Sequence, residues 1–158
     1  MDFRKAGLSD IEALARLRVD MLCEGTAHPE PLRIRIFENT KRFLSDGFQA
    51  GSCIAWVAEQ TGDLVAMGCL NFFALPPNDW CPNGLTAYLG NMYTASSFRK
   101  RGLASHILDQ LIKEAKSRGC ERILLNATEM GRPLYEQHGF DSSPTAMALY
   151  PFGIIPTL

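Results

Sequence analysis

A short basic turn stands between an apolar segment and a strongly periodic helix, and this unit constrains the fold of the chain more than any other feature. The apolar segment, Tyr88 to Thr94, predicts a strand, and apolar positions from Leu103 to about Lys116 recur on one helical face. Between them, Arg99-Lys100-Arg101-Gly102 joins three cations to a glycine. Amides in the first turn of a helix lack intrahelical partners and attract anions, and glycine permits close backbone approach. The unit therefore predicts an anion site, best suited to a small phosphorylated ligand.

Other interpretations of the turn compete with this one. A basic turn before an amphipathic helix is often only a solvated loop. A Walker-type loop is disfavoured because no Gly-Lys-Ser/Thr follows four residues after a first glycine, and a dinucleotide fingerprint is disfavoured because only one of its three glycines is present. A nucleic-acid module is disfavoured as well, since the basic patch is short and the net charge is −1.

Length and composition predict one globular domain over residues 1–158, with 46% hydrophobic and 21% charged residues. The five cysteines are odd in number and share no metal-type spacing, so we expect inert thiols and no metal site; they are Cys23, Cys53, Cys69, Cys81 and Cys120. No signal-peptide core opens the chain and no run approaches 18 apolar residues. We therefore expect a cytoplasmic protein with no membrane partner.

Turn signals and apolar periods predict the order of the elements. Strands are expected at Met1–Ala6, Ser52–Gln60, Leu64–Phe73, Tyr88–Thr94 and Arg122–Ala127, with final strand material at Phe140 and Met147–Tyr150. Helices are expected from a Ser9–Glu12 capping box to about Leu22, and at Leu32–Ser45, Leu103–Lys116 and about Gly131–His138. Hairpin strands come first and a strand–helix–strand unit follows, so we expect a mixed α/β sheet. The proline-rich loop Ala74–Leu85 should be exposed, and whether it or the apolar tail from Pro151 shapes a substrate site stays open.

A second motif, Tyr135-Glu136-Gln137-His138-Gly139-Phe140, follows the predicted fifth strand. Together with Arg99-x-x-Gly102-x-Ala104, it resembles the GNAT superfamily of N-acetyltransferases, which commonly carry Tyr-Glu-x-x-Gly-Phe on the helix after that strand. The resemblance covers about Leu89 to Phe140, and the element order before it agrees. It implies a mixed, mostly antiparallel sheet of six to seven strands with about four flanking helices. A splayed strand pair would form a cofactor slot.

Two positions depart from the family pattern. Thr94-Ala95-Ser96 stands where the family often has Val-x-Pro, so the strand end lacks its usual proline. Thr128 replaces an asparagine that in the family contacts the pantetheine arm, which leaves that contact in question.

The resemblance implies acetyl-CoA as co-substrate and assigns residues to it. The turn and first helical residues would hold the pyrophosphate, namely Arg99, Lys100, Arg101, Gly102, Leu103, Ala104 and Ser105. Met92, Tyr93 and Thr94 would pair with the pantetheine arm, and Thr128 and Tyr135 would complete the cofactor site. The backbone amide of Met92 is the candidate oxyanion donor. Tyr135 is the candidate general acid, because a phenol with a pKa of about 10 is protonated at neutral pH.

The general base stays open between two carboxylates, Glu24 just after the first helix and Glu129 just past the fifth strand. His28 and His138 are disfavoured, since one lies in a proline-bounded loop and the other beside a helix end. Asn91 and Asn126 are either groups that orient the substrate or ordinary sheet-edge residues.

The resemblance thus implies an acetyl-CoA-dependent N-acetyltransferase acting on a primary amine of a small molecule. The acidic residues Asp20, Glu24 and Glu129 hint at a cationic acceptor. A catalytically silent acyl-CoA sensor or interaction domain is an alternative, against which Tyr135 argues. A peptide or protein N-acetyltransferase is another and would need an open groove. A homodimer is common among relatives, and the oligomeric state stays open.

Overall fold

The computed structural model describes residues 1–142 and 145–151 of the chain. The chain divides into two compact units, Met1–Asn126 and Ala127–Leu158. The single domain expected over residues 1–158 stays a prediction.

Within the described residues, the first unit contains five strands and three α-helices. The strands are β1 (Asp2–Lys5), β2 (Cys53–Gln60), β3 (Asp63–Ala74), β4 (Leu85–Thr94) and β5 (Arg122–Leu124). The helices are α1 (Ile11–Cys23), α2 (Glu30–Ala50) and α3 (Leu103–Ser117), with 3-10 turns at Leu8–Asp10 and Ser96–Phe98. The second unit contains α4 (Arg132–Gln137).

The five strands form one sheet in sequence order. Strands β1 to β4 pair antiparallel, as short connections allow, whereas β5 returns through α3 and pairs parallel with β4. The predicted fold class, a mixed and mostly antiparallel α/β sheet, is confirmed.

The final strand material expected at Phe140 and Met147–Tyr150 does not form a strand. Met147 and Leu149 are 97% and 86% exposed. A strand needs a neighbour for its backbone groups, and the prolines at positions 144 and 151 cannot donate to one. The sheet over the described residues therefore has five strands instead of six to seven. The apolar tail after Pro151 lies outside those residues.

The two faces of the sheet are covered by different helices. Helices α1 and α2 cover one face, where the buried core consists of Leu14, Leu44, Cys53, Ala55, Val57, Met67 and Cys69. Helix α3 covers the other face, where Ile107 and Leu111 lie against Gly68. The sheet therefore holds the end of α1 and the start of α3 on opposite sides of β4.

Helix α2 extends past its predicted end at Ser45. It continues through Gly47, which is buried. This glycine packs so closely against Cys53 that a Cβ at position 47 would lie 2.5 Å from the Cβ of Cys53. The helix ends at Gly51, whose φ of 69° is the left-handed conformation that glycine adopts at little cost. Gly47 is thus a packing position and not a helix stop.

The predicted Ser9–Glu12 capping box is wrong. Helix α1 begins after Asp10, and Glu12 pairs with Arg16 on the surface. The Asp10 carboxylate instead accepts hydrogen bonds from the Arg4 guanidinium, at 2.8 Å to each oxygen, and from the Gly7 amide at 2.8 Å. The Arg4 hydrogen bonds are the main reason that the pKa of Asp10 lies below its ordinary value.

Three of the five cysteines are buried, and all five are free thiols. Burial raises the pKa of Cys53 to about 11 and that of Cys69 to about 12. Cys81 is fully buried although it lies in the loop predicted to be exposed, and its Sγ lies 3.5 Å from the Leu85 carbonyl oxygen. No three His, Cys, Asp or Glu side chains in the described part of the chain stand close enough together to hold a metal ion. None of the described helices is long and apolar enough to cross a membrane.

Candidate active site

The turn between β4 and α3 leaves several backbone amides open. Lys100 and Gly102 both adopt left-handed conformations, with φ of 61° and 77°. Helical bonding starts with the His106 amide on the Gly102 carbonyl, at 3.1 Å. No hydrogen bond within residues 1–142 and 145–151 takes the amides of Gly102, Leu103 or Ala104. A Cβ at Gly102 would meet nothing within 4 Å in the described structure, so the turn is open on the side of this glycine.

The three basic side chains of the turn have different environments. The Arg99 guanidinium donates to the Thr94 carbonyl at 3.0 Å and to both carboxylate oxygens of Glu24 at 2.6 and 2.5 Å. Arg101 donates to the Ser97 carbonyl at 2.9 Å. Lys100 is exposed and has no hydrogen-bond or ion-pair partner in the part of the chain that the structure describes. Of the three basic side chains, Lys100 can therefore reorient towards an anion without breaking a hydrogen bond or ion pair of the described structure.

Strands β4 and β5 separate after a short paired segment. Their register runs from Thr86 opposite Arg122 to Tyr88 opposite Leu124. Beyond this point β4 continues to Thr94 without β5 beside it, so the pair is splayed. The Asn126 amide nitrogen donates to the Tyr88 hydroxyl at 3.1 Å, at the point where the two strands part. The predicted splayed pair is thus present, and Asn126 lies at its narrow end.

A bulge distorts β4 inside the unpaired segment. Met67 lies opposite Tyr93 and Cys69 opposite Gly90, so two residues of β4, Asn91 and Met92, face Gly68 alone. Asn91 adopts a left-handed φ of 54°, which asparagine tolerates better than most residues. Its amide nitrogen lies 3.7 Å from the Cys69 Sγ. The bulge thereby places the backbone of Met92 out of the regular ladder.

Gly68 lets α3 pack directly against the bulge. A Cβ at this position would lie 2.8 Å from the Leu111 Cδ1, 2.9 Å from the Ile107 Cγ2 and closer still to the Met92 Sδ. Contacts this short do not occur, so a larger residue would force the side chains of Met92, Ile107 and Leu111 to shift. The absence of a side chain at Gly68 thus lets α3 and the Met92 side chain pack closely on this part of β3.

Tyr93 and Thr94 end β4 in partly buried surroundings. Burial raises the pKa of the Tyr93 phenol, and the carboxylates of Glu24 and Asp20 raise it further. The Thr94 hydroxyl is buried and finds no hydrogen-bond partner among the residues described. A buried hydroxyl without a partner is uncommon in folded proteins and indicates a site that a ligand or water completes.

The second unit carries the tyrosine motif on α4. Thr128 caps this helix, since its hydroxyl accepts from the Gly131 amide at 3.1 Å and its carbonyl accepts from the Arg132 amide at 2.9 Å. The Tyr135 ring is half-buried and meets the Phe140 ring edge-on, with centroids 5.8 Å apart. A Cβ at Gly131 would lie 3.3 Å from this ring. The motif therefore fixes the orientation of the tyrosine within its own unit.

The remaining candidates lie as follows. Glu129 is exposed, and the described residues give it no hydrogen-bond or ion-pair partner. The Nε2 of His28 lies 3.1 Å from the Leu22 carbonyl oxygen, and the Nδ1 of His138 lies 2.7 Å from that of Leu134. Each histidine thus has one ring nitrogen near a backbone carbonyl oxygen of a helix.

Sequence reasoning missed Arg18. This side chain is half-buried on α1, one helical turn after the fully buried Leu14 and three residues after the fully buried Ala15. Burial lowers its pKa, and the ionisable groups that act on it are Cys69 and Tyr88. The sequence signal that could have indicated Arg18 is that an arginine occupies a position of α1 where the helical period predicts an apolar residue.

The sheet, its splayed strand pair and the open turn define a class of acyl-transferring domains. A model of the acetyltransferase (GNAT) family matches residues 17–140. The chain therefore belongs to the GNAT acetyltransferase family, and the resemblance seen in the sequence is confirmed. No curated protein sequence matches the chain significantly.

Solved structures agree with this assignment. A predicted acetyltransferase from Clostridium acetobutylicum, solved with acetyl-CoA, is 30% identical with a TM-score of 0.87 and 96% of each chain covered. A GCN5-related N-acetyltransferase from Ralstonia eutropha JMP134 is 27% identical with a TM-score of 0.85, covering 96% of this chain and 99% of that one. Glucosamine-6-phosphate N-acetyltransferase from Arabidopsis thaliana is 20% identical, covers 95% and 97% of the two chains, and shares the fold with a TM-score of 0.71.

Proposed function

We propose that this protein is an acetyl-CoA-dependent N-acetyltransferase that acts on the primary amine of a small molecule. The observation that carries the proposal is the open turn before α3, whose unbonded amides at Gly102, Leu103 and Ala104 adjoin the unpaired end of β4. Family membership and the acetyl-CoA in the Clostridium acetobutylicum structure support the choice of co-substrate.

The residues of the turn fit a diphosphate. Amides from Arg101 to Ser105 and the Lys100 ammonium would hold its oxygens, because an anion at a helix start meets both unpaired amides and the positive end of the helix dipole. The free edge of β4 from Met92 to Thr94 would bind the pantetheine arm as a strand binds its neighbour. When bound, acetyl-CoA supplies a thioester carbonyl beside the bulge.

The reaction requires the acetyl group to pass from sulfur to nitrogen. The amine nitrogen forms a bond to the acetyl carbon, the carbon–sulfur bond breaks, and its electron pair stays on sulfur. The Met92 amide would donate a hydrogen bond to the carbonyl oxygen as negative charge develops there. Tyr135 would give its phenolic proton to the departing thiolate.

The amine must also lose a proton, and Glu129 is the better supported base of the two carboxylates. Glu24 already accepts two hydrogen bonds from Arg99, and taking a proton would break that ion pair. Glu129 is exposed and holds no such contact within the described residues.

A screen of amine pools tests the proposal. The protein is incubated with acetyl-CoA and mixed primary amines, and mass spectrometry follows products heavier by one acetyl group while thiol release is measured in parallel. Amine-dependent thiol release with a matching acetylated product is expected. Tight coenzyme A binding with no amine-dependent release would instead support the silent sensor. Loss of coenzyme A binding altogether would contradict the proposed cofactor site.

A further inference from the structure

One charged side chain on the α1 face of the sheet has no counter-charge. Arg18 is half-buried, and no hydrogen bond or ion pair holds its guanidinium within the part of the chain that the structure describes. The groups that act on it electrostatically are the Cys69 thiol and the Tyr88 phenol. Burial keeps the Cys69 thiol neutral, with a pKa of about 12. A partly desolvated charge without a partner is costly, so folded proteins seldom keep one without use.

The acidic residues nearest in sequence do not supply the missing charge. Each of three carboxylates on α1 or beside it is already held by another arginine: Asp10 by Arg4, Glu12 by Arg16, and Glu24 by Arg99. Asp20 is exposed and forms no ion pair in the described structure. The positive charge of Arg18 therefore stays uncompensated.

Arg18 lies on α1, which packs against β3 and β4 near the point where β4 and β5 part. Tyr88, which acts on Arg18, is the last residue of β4 that pairs with β5, and its hydroxyl accepts from Asn126. Cys69, the other neighbour, contacts the Asn91 amide at the bulge. Tyr88 is 37% exposed, so solvent reaches this group of side chains. The guanidinium thus acts on polar groups near the narrow end of the slot, on the face of the sheet that α1 covers.

We propose that Arg18 binds a carboxylate of the acceptor, so that the acceptor is a small amine that also carries a carboxylate, as an amino acid does. The inference rests on the proposed acetyltransferase function. A guanidinium presents two parallel N–H donors that match the two oxygens of a carboxylate, and such charge-assisted pairs are strong. The carboxylate of the acceptor would supply the counter-charge that Arg18 lacks, while the amine of the acceptor faces the slot.

Paired substrates test the carboxylate directly. Free amino acids and their primary carboxamides, which keep the shape and lose the charge, are compared for acetylation by the full chain. The acid of each accepted pair is expected to exceed its carboxamide at least about tenfold in kcat/KM, since hydrogen bonds to a charged group contribute that much or more. Phosphoethanolamine is included as an amine that carries a phosphate.

Variants assign the preference to this residue. Arg18→Met should raise KM for the acid by about 10- to 100-fold, abolish the preference for acid over carboxamide, and leave coenzyme A affinity unchanged. Arg18→Lys keeps the charge but lacks the two parallel N–H donors of the guanidinium, so it should retain part of the preference for acid over carboxamide. Arg16→Met is the matched control on the same helix, since Arg16 is exposed and pairs with Glu12 on the surface. Arg18→Met should fold, because it removes an uncompensated charge from a half-buried site.

The outcomes separate this inference from the proposed function. Acetylation of amines that lack a carboxylate, equal rates for acid and carboxamide, or a preference for phosphoethanolamine would each overturn the inference and leave the acetyltransferase intact. If no amine is acetylated, the proposed function fails, and calorimetry of amino acids with the coenzyme A-loaded protein decides the inference. Binding of the acid that depends on Arg18 then supports it, and its absence overturns it.

Discussion

The Arg99 guanidinium donates to both carboxylate oxygens of Glu24, at 2.6 and 2.5 Å, and so ties the turn before α3 to the end of α1. The two side chains are 29% and 40% exposed, so water weakens the pair. The pair matters because it holds chain segments in position. The same guanidinium donates to the Thr94 carbonyl at 3.0 Å and thereby joins three chain segments at the end of β4.

Replacing Glu24 separates a structural role from a role as base. Glu24→Gln should change the free energy of unfolding by less than about 1 kcal/mol, because the pair is solvent-exposed. It should lower kcat by less than about tenfold, whereas loss of a general base typically costs about 10²–10⁴ in rate. Denaturant titration and steady-state kinetics measure both. Glu129→Gln is the matched comparison, and a loss of 100-fold or more in Glu24→Gln alone would assign the base to Glu24.

The charge of a side chain at position 102 should control coenzyme A binding. A Cβ at Gly102 meets nothing in the protein, so effects of substitution come from backbone strain and from the ligand. Gly102→Asn and Gly102→Asp have the same shape, and both residues tolerate a positive φ. The aspartate should weaken coenzyme A affinity at least about tenfold more than the asparagine, because it places a carboxylate against phosphate. Equal affinities of the two variants in calorimetric titration would mean that the diphosphate lies elsewhere.

Removing one hydroxyl should slow the reaction without loosening the cofactor. Tyr135→Phe keeps the ring contact with Phe140 but cannot donate a proton to sulfur. We expect kcat to fall at least about tenfold while coenzyme A affinity stays nearly intact, since acid–base assistance is worth about 10²–10⁴. Tyr150→Phe is the control at an exposed tyrosine of the same unit. Turnover equal to the parent with the true acceptor would remove Tyr135 from the mechanism.

Acid should destabilise the protein through Asp10. Arg4 lowers the pKa of this carboxyl in the folded state, so the unfolded chain binds the proton more readily than the folded one. The stabilisation is therefore complete above the ordinary pKa near 3.8 and is lost as the pH falls through that value towards the lower folded one. Asp10→Asn should cost about 1–3 kcal/mol at pH 7 and less near pH 3, where part of the stabilisation is lost. Chemical denaturation at both values measures this, with the exposed Asp79→Asn as control, and a pH-independent cost would contradict the assignment.

Local sequence was enough to predict the elements that build the turn. The apolar period of α3 and the glycine before it depend on near neighbours, and the helix indeed begins at Leu103 after Gly102. The strand–turn–helix–strand order then required a parallel return beside β4, as observed. The predictions failed where a distant contact overrides a local signal. Gly47 did not end α2 because it packs on Cys53, and the predicted Ser9–Glu12 capping box did not form at a helix start where Asp10 instead binds Arg4 and the Gly7 amide.

The contents of the site depend on longer-range geometry. Arg99 and Glu24 are 75 positions apart, and no periodic pattern links them. The bulge at Asn91 and Met92 arises from the register between β3 and β4, which a single strand sequence does not encode. Arg18 did interrupt an apolar face, but only the packing of α1 against β3 and β4, which brings the arginine under the influence of Cys69 and Tyr88, gives that interruption a chemical meaning.

Gly68 has a consequence for how this domain can vary. It lies between α3, whose start would hold the diphosphate in the proposed complex, and the Met92 side chain at the bulge. A methyl group added there would have to be accommodated by shifts of Met92, Ile107 and Leu111, the side chains that join these two parts of the site. Variation at this buried position is therefore constrained by packing although the residue itself has no group that could take part in the chemistry.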